Sequence, residues 1–283
     1  MANIRLIKNR IKSAKNISQI TRAMELVAAS KMRKAQSAAL SGKLYAQKIH
    51  DMVFSLASRT DISNHPLLAT PSIQIGKRLV IIVSTNKGLC GGLNSNLFRS
   101  ILKEYANTTA FEFVTLGKKS ADFIAQVKGS LKADFSDRVP FVDNVPAITQ
   151  LLTGMYLTGA VDGVDIVYNE FVSVLTQAPR IKTILPLTLE VAQGREATGE
   201  FRIEPGVREV FDALLPHYLE NQVRDAVLQG EASEQSARMI AMRNATDNAL
   251  SFMDELTLVY NKARQEKITY EISDMVTARL ATE

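Results

Sequence analysis

The sequence predicts an α/β domain with a mostly parallel sheet, flanked by long N- and C-terminal helices that pair as an antiparallel coiled coil. Three observations predict this fold. Both ends of the 283-residue chain are long runs almost free of glycine and proline. The middle instead alternates short apolar runs with amphipathic stretches. The two ends also carry opposite charge, +10 over residues 1–50 and −5 over residues 205–283, which favours their pairing.

The N-terminal helix is predicted over residues 1–57. Residues 1–41 contain neither glycine nor proline, and Gly42 is a tolerated interruption. A stripe with steps of three or four is formed by Ile4, Ile7, Ile11, Ala14, Ile17, Ile20, Met24 and Val27. This stripe is expected to be the buried seam, on a helix about 85 Å long at 1.5 Å per residue. Because two steps of three follow each other after Ala14, we expect irregular winding.

The central domain is predicted over residues 76–190. Its strands are expected at "RLVIIVST", "FEFVTLG", "VDIVYNEFVSV" and "IKTILPLTLE". Helices are expected between the first three strands, at "LNSNLFRSILKEYA", "KKSADFIAQV" and "NVPAITQLLTGMYLTGAV". This alternation predicts a sheet of Rossmann-like topology covered by helices. The polar, turn-rich segment "AQGREATGEFRIEPG" then returns the chain to the second long helix.

The C-terminal helix is predicted over residues 206–283. From His217 onwards the sequence has one glycine, Gly230, and no proline. Isolated helices of such length gain too little from intrinsic propensity to be stable. We therefore expect the two terminal helices to bury their stripes against each other, and an antiparallel pair is natural when both flank one domain.

The glycine-rich stretch "STNKGLCGGLNSN", residues 84–96, resembles a nucleotide-binding turn only in its place between a strand and a helix. It lacks the GxxxxGK[ST] and GxGxxG patterns that hold phosphates. An enzyme site at this end of the sheet would use Thr85, Asn86, Lys87, Cys90 and Asn94. Since the stretch has no histidine and no paired carboxylates, catalysis is disfavoured and a packing turn is expected.

Composition excludes several other classes of protein. The longest apolar run is a handful of residues, far below the ~20 that cross a bilayer, and the N-terminus has no secretory signal pattern. The single cysteine cannot form an intrachain disulfide and suits a reducing compartment. The three histidines are far apart in the sequence, so neither a metal site nor a cofactor is expected.

Two non-enzymatic functions remain open from the residues alone. A nucleic-acid-binding protein could use the basic first helix, since a +10 segment would neutralise several phosphates. That segment has no aromatic residue before Tyr45 for stacking on bases, and its apolar stripe requires burial. A structural or mechanical protein, with two long helices projecting from a small α/β head, needs no reactive residue and accounts for the long runs without helix breakers.

Four blocks of sequence resemble the gamma subunits of F-type ATP synthases. They are "ISQITRAMELVAASKMRKAQ", "VSTNKGLCGGLNSNLF", "ASEQSARMIAMRNATDNA" and "ELTLVYNKARQEKITYEISDMV". The resemblance extends over essentially the whole chain, in order. Chloroplast members of this family carry an extra segment with a dithiol, so a single cysteine without that insert resembles the bacterial type.

The resemblance implies a non-catalytic rotor. In that family the coiled coil stands inside a ring of three alpha and three beta subunits, which bind the nucleotides. The α/β domain sits with the epsilon subunit on the ring of c subunits, whose proton- or sodium-driven rotation turns the gamma subunit. The implied location is peripheral, on the cytoplasmic face of the inner membrane.

The resemblance also implies contacts for particular residues. Contact with the alpha/beta ring is implied for Met24, Arg264, Gln265 and Thr269. Contact with acidic segments of beta or with polar loops of the c ring is implied for the basic residues Lys31, Arg33 and Lys34. Contact with the c ring at the foot of the subunit is implied for Ile203, Glu204 and Pro205. The last residues, "SDMVTARLATE", would lie in an apolar sleeve.

Overall fold

The computed structural model describes residues 4–57, 65–68, 75–105, 110–187 and 203–280. Predictions that concern other residues, including most of "AQGREATGEFRIEPG" and the last three residues, lie outside this described part. The chain divides into two compact units. The helix-pair unit comprises Met1–Ala29 and Arg238–Glu283, and the sheet unit is Ser30–Ala237.

Strands and helices alternate between two long terminal helices, as predicted. The elements are α1 (Ile4–Ala57), β1 (Arg78–Val83), α2 (Leu93–Glu104), β2 (Phe111–Leu116), α3 (Lys118–Gln126), β3 (Ser130–Asp134), α4 (Val145–Leu157), β4 (Gly163–Phe171), β5 (Gln177–Leu185) and α5 (Val207–Leu280). The predicted fold class, an α/β domain with long helices at both ends, is therefore confirmed.

The five strands form one sheet in the order β3-β2-β1-β4-β5. All neighbouring pairs are parallel except β4 and β5, which are antiparallel. After β3 the chain returns through α4 to place β4 on the other side of β1, so the order reverses beside β1. This arrangement confirms the Rossmann-like topology and makes the carboxyl end of β1 the place where such sheets usually bind ligands.

β1 is buried on both faces, as a central parallel strand should be. Leu79 and Ile81 belong to the larger core, which contains residues from α1, α4 and α5. Val80 and Ile82 belong to a second core, which contains residues from α2 and α3. The continuous apolar run "RLVIIV" thus reflects helices on both sides of the sheet.

One strand of the sheet unit departs from the predictions, and one predicted helix contains a proline. Strand β3, "SLKAD", was not predicted because its residues are mostly exposed and polar, as on the edge of a sheet. Helix α5 contains Pro216 in its interior, where the missing N–H removes a helical hydrogen bond. Its neighbours Leu215 and Leu219 are fully buried in the larger core, so tertiary packing offsets this loss.

In the helix-pair unit, the N-terminal part of α1 packs antiparallel to the C-terminal part of α5. Near the start of α1, Ile7 is buried together with Leu256. Further along α1, the hydroxyl of Thr21 lies 2.7 Å from that of Thr246. Contacts thus advance along α1 while they move back along α5, which confirms the predicted antiparallel pairing.

The glycines of the two long helices in the sheet unit, Gly42 and Gly230, should respond oppositely to alanine. A Cβ at Gly42 of α1 would meet nothing within 4 Å, whereas a Cβ at Gly230 of α5 would lie 2.9 Å from Cγ1 of Val83 in β1. We expect Gly42→Ala to raise the free energy of unfolding by about 1 kcal/mol through helix propensity. Gly230→Ala should lower it by about 1 to 2 kcal/mol through overpacking. Urea unfolding of both variants measures this, and equal shifts of the same sign would contradict the explanation.

Candidate functional site

The turn that follows β1 is held by hydrogen bonds between serine side chains and the backbone. Ser84 Oγ donates to Ser120 Oγ over 2.8 Å and accepts the Ser120 N–H over 2.9 Å. Ser120 Oγ in turn donates to the carbonyl oxygen of Gly117 over 2.8 Å. The polar groups at the carboxyl ends of β1 and β2 therefore bind one another.

Asn86 extends this network to the third strand. Its Nδ2 donates to the carbonyl oxygen of Ser136 over 2.9 Å, and its Oδ1 accepts the N–H of Lys118 over 2.9 Å. Ser136 Oγ accepts the N–H of Gly117 over 3.1 Å and donates to Asp134. The glycine-rich turn thus ties the ends of β1, β2 and β3 together, which is the packing role predicted for it.

The other enzyme candidates lie on the helix side of the same turn. Asn94 Nδ2 donates to Thr85 Oγ1 over 2.8 Å and to Cys90 Sγ over 3.6 Å. Cys90 is buried, and Asn94 Oδ1 is buried without a hydrogen-bond partner among the described residues. In this geometry the amide positions the hydroxyl and the thiol, and it supplies no base for either.

A second polar cluster lies at the opposite end of β1. The buried carboxylate of Asp165 on β4 accepts two bonds from Arg78, over 2.9 Å to Nε and 2.6 Å to Nη2. It also accepts from Thr183 Oγ1 over 2.8 Å and from the Tyr105 hydroxyl over 3.2 Å. Burial and the nearby carboxylate raise the pKa of Tyr105. The cluster joins β1, β4 and β5 to the end of α2.

The buried seam of α1 in the helix-pair unit differs from the predicted apolar stripe. From Ala14 onwards the buried positions are Ser18, Thr21, Glu25 and Ala28, which alternate steps of four and three. The predicted seam residues Ile17, Ile20 and Val27 are 52%, 60% and 56% exposed. The prediction is confirmed up to Ala14, where Ile7 is also buried, and from Ile17 onwards it was wrong by one position along the helix. Because the true seam keeps a strict heptad spacing, the expectation of irregular winding also loses its basis.

The seam of α5 follows the same spacing. Between Met242 and Ala263 the buried positions are Met242, Thr246, Leu256 and Ala263, and the half-buried Ala249, Met253 and Tyr260 continue the same spacing. Every described residue after Ala263 is exposed. The last part of α5, residues 264–280, is therefore a helix whose apolar side chains lack cover, among them Ile268, Ile272, Met275, Val276 and Leu280.

The four residues expected at the alpha/beta ring lie at two levels of the helix pair. Met24 is half-buried at the edge of the seam, on the turn of α1 that contacts Thr246 through Thr21. Arg264 lies eighteen residues beyond Thr246 on α5, about 27 Å along a helix. It is exposed, as are Gln265 and Thr269. Their partner contacts stay predictions.

The basic residues Lys31, Arg33 and Lys34 are all exposed on α1 in the sheet unit. Lys31 lies near Glu231 of α5, and its charge lowers the pKa of that carboxyl group. Burial of Glu231 has the larger effect and raises its pKa above the ordinary 4.5. The proposed contacts of all three residues stay predictions.

Glu231→Gln should stabilise the protein at neutral pH. Folding raises the pKa of this carboxyl group, so the folded state holds the proton more tightly than the unfolded state does. The free energy of unfolding therefore falls as pH rises above the unfolded pKa of about 4.5. Removing the charge should raise the melting temperature at pH 7, with a difference that shrinks towards pH 4. Thermal melts across this range test it, with exposed Glu255→Gln as the control. A larger gain at pH 4 than at pH 7 would contradict the assignment.

The residues expected at the foot lie just before α5. Ile203 is half-buried and packs against the larger core, while Glu204 and Pro205 are exposed. A contact with a c ring stays a prediction for all three, and for Ile203 it would compete with packing inside the chain.

Sequence reasoning missed an exposed apolar surface on the helix-pair unit. Apart from Ile17, Ile20 and Val27, it includes Leu26, Leu250, Phe252, Leu258 and Val259, which are 43–72% exposed. A signal was available in the sequence, because an apolar residue directly precedes each seam position of α1 from Ser18 to Ala28. This number of exposed large apolar side chains in one unit favours an interaction with a partner.

Comparison with known proteins identifies close relatives. A protein-family model described as ATP synthase matches residues 3–281. The ATP synthase gamma chain of Dehalococcoides mccartyi is 42% identical over 286 residues, which cover 98% of each chain. That of Opitutus terrae is 40% identical, with 99% of each chain covered. These matches give no support to the nucleic-acid-binding alternative.

Solved structures share the fold. The rotor of the Euglena gracilis mitochondrial ATP synthase superposes with a TM-score of 0.66 at 20% identity, covering 94% of this chain and 98% of the other. A chain from the OSCP/F1/c-ring part of the same enzyme gives 0.69 at 20% identity, with coverages of 99% and 94%. Within the described residues, no helix combines the length and the apolarity required to span a bilayer.

Proposed function

Because this chain belongs to the ATP synthase family and, within it, to the gamma chains, we propose that it is the central rotor shaft of an F-type ATP synthase. In this role it rotates with the ring of c subunits and forces the catalytic sites of the alpha and beta subunits through successive states. The chain itself catalyses no step and binds no cofactor. It works at the cytoplasmic face of the bacterial inner membrane, which it contacts through the c ring.

One observation supports this role above the others. The helix-pair unit leaves large apolar side chains exposed along its length, and after Ala263 helix α5 has no covering partner within the described residues. A single helix with such a surface needs an enclosing partner to remain stable in water. Apolar contacts are non-directional, so a sleeve of apolar groups would hold the shaft without a strongly preferred angle.

The remaining contacts of the shaft follow from the residues already named. Met24, Arg264, Gln265 and Thr269 are proposed to contact the alpha/beta ring. Lys31, Arg33 and Lys34 are proposed to face acidic segments of beta or polar loops of the c ring, where opposite charges favour association. The foot at residues 203–205, together with the epsilon subunit, is proposed to contact the c ring.

Assembly tests this function directly. The chain is co-expressed with the alpha and beta subunits of the same organism, and the product is examined by native mass spectrometry and by ATP hydrolysis. We expect an assembly of three alpha, three beta and one copy of this chain that hydrolyses ATP. If the chain stays separate and instead binds nucleic acid with steep salt dependence, the proposal is wrong.

Met24→Lys should weaken coupling while ATP hydrolysis persists. The half-buried Met24 is proposed to face acidic segments of beta, so a lysine there would add an attraction that favours some rotor angles over others. Proton pumping per ATP hydrolysed, measured in membrane vesicles, should fall. The matched control is Met52→Lys, since Met52 is a half-exposed methionine on the same helix. Unchanged pumping in Met24→Lys would remove Met24 from the coupling surface.

A further inference from the structure

Helix α1 of the helix-pair unit contains two candidate seams that differ by one residue. Residues Ile17, Ile20, Met24 and Val27 form an apolar stripe, and residues Ser18, Thr21, Glu25 and Ala28 form a mainly polar one. A rotation of the helix by about 100° about its axis, the angle of one residue, would exchange them. The structure buries the second stripe and exposes the three β-branched residues of the first.

Apolar burial alone would favour the opposite choice. Burial of isoleucine and valine side chains is favourable in proportion to the area removed from water, whereas burial of a serine, threonine or glutamate side chain requires compensating hydrogen bonds. The observed orientation is therefore held by interactions of the polar residues, together with apolar residues in register with them such as Ile7 and Ala28.

We propose that a polar layer, formed by Thr21 and Glu25 of α1 with Thr246 and Arg243 of α5, fixes the rotation of α1 and keeps its apolar stripe on the outer surface. The layer is a device of the fold that presents an interaction surface before any partner is present. It acts within the chain, so it does not depend on which proteins cover the stripe.

The first half of the layer is a pair of buried hydroxyl groups. Thr21 Oγ1 and Thr246 Oγ1 are 2.7 Å apart. Thr246 Oγ1 also donates to the carbonyl oxygen of Met242 over 2.9 Å. The Thr21 hydroxyl likewise lies 3.0 Å from the carbonyl oxygen of Ile17. One hydroxyl therefore donates to a carbonyl of its own helix and the other donates to that hydroxyl, so the pair forms a chain of hydrogen bonds that strengthen each other. Rotation of α1 would place Ile20 against Thr246 and break this chain.

The second half is a buried carboxylate with two cationic partners. The side chain of Glu25 is 8% exposed, and its Oε1 lies 3.4 Å from Arg243 Nε across the seam. Its Oε2 accepts from Arg22 Nη1 on the same helix over 2.8 Å. Arg22 would move with Glu25, so only the bond to Arg243 depends on the orientation of α1. Buried polar residues at seam positions are known to specify one alignment of paired helices.

The test is to remove the partners on α5 and to measure which face of α1 is exposed. Two isosteric reporters are available in the full chain with Cys90→Ala: Ser13→Cys lies on the apolar face and is exposed, and Ser18→Cys lies in the seam and is buried. With the layer intact, the cysteine at 13 should react with a water-soluble maleimide about tenfold faster than the one at 18. In Arg243→Ala/Thr246→Val, the ratio should fall towards one or reverse.

Controls separate rotation of the helix from loss of structure. Arg243→Lys/Thr246→Ser keeps a cation and a hydroxyl group and should retain the original ratio. Far-ultraviolet circular dichroism must show unchanged helix content in each variant. An unchanged ratio in a folded Arg243→Ala/Thr246→Val protein would overturn the proposal. If that double variant does not fold, the ratio of the two reaction rates is measured in Thr246→Val alone and judged by the same criterion. This single variant changes only one hydroxyl to a methyl group.

Discussion

An Asp165→Ala variant is expected to lower the free energy of unfolding by about 3 kcal/mol. The carboxylate is 4% exposed and accepts hydrogen bonds from three side chains, including both nitrogens of its contact with Arg78. Alanine would leave the guanidinium without its anion and the hydroxyls of Tyr105 and Thr183 without their acceptor. The side chain of Arg78 is 36% exposed, so water can solvate its guanidinium group once the carboxylate is removed. The expected destabilisation therefore lies at the lower end of the range known for breaking buried ion pairs.

The ion pair of Glu170 and Arg180, on the same two-stranded β4–β5 ribbon, provides the matched control. Arg180 Nη1 donates to both carboxylate oxygens, over 2.6 and 2.7 Å, but the side chains are 30% and 54% exposed. Glu170→Ala should therefore cost less than about 1 kcal/mol. Urea unfolding followed by circular dichroism measures both variants. Similar losses in the two would mean that the burial of Asp165 has no energetic importance.

Regular elements of this chain could be predicted because each has a local cause. The run "RLVIIV" predicted β1 with its correct start, and the amphipathic stretches predicted α2 and α3 within two residues of their observed ends. Strand β3 could not be predicted from its own residues. It exists because Glu112 to Thr115 of β2 provide an open edge for pairing, which is information from elsewhere in the fold.

The seam of α1 marks the limit of periodicity as evidence. Full burial of a side chain such as Ile17 or Ile20 would contribute roughly 1.5–3 kcal/mol, so a rule based on apolar residues selects the wrong face. The correct face depends on Thr246 and Arg243, more than two hundred residues away in the sequence. The exposed surface could have been suspected because the predicted stripe breaks the heptad spacing between Ala14 and Ile17, whereas the series Ala14, Ser18 and Thr21 keeps it.

The glycine-rich turn lies where a ligand could bind, and its side chains form hydrogen bonds within the fold. Its position after the central strand is that of a ligand-binding turn, yet the side chains of Ser84 and Asn86 bond to the ends of the neighbouring strands. Sequence patterns disfavoured a phosphate site here. They could not show which groups form hydrogen bonds with the polar atoms of the turn, because Ser120 and Ser136 come from later elements.

Gly117→Ala is expected to have the largest effect on this turn, lowering the free energy of unfolding by about 3 to 5 kcal/mol. Gly117 has a φ of 107°, which only glycine adopts readily. A Cβ there would lie 2.5 Å from the carbonyl oxygen of Ser84. That backbone cannot retreat easily, since the N–H of Ser84 donates to the carbonyl oxygen of Leu116 over 2.8 Å. Backbone strain of about 1–3 kcal/mol and the steric clash would therefore act together.

Gly159→Ala provides a control for backbone strain. Gly159 also has a positive φ, of 68°, but a Cβ there would meet nothing within 4 Å, so only strain of about 1–2 kcal/mol applies. The difference between the two variants in urea unfolding then measures the clash together with the greater strain at Gly117, whose φ of 107° and ψ of 132° lie outside the left-handed helical region. Equal losses would show that the ends of β1 and β2 can separate to admit a side chain. In that case the close contact at Gly117 would not be what joins the turn to the sheet.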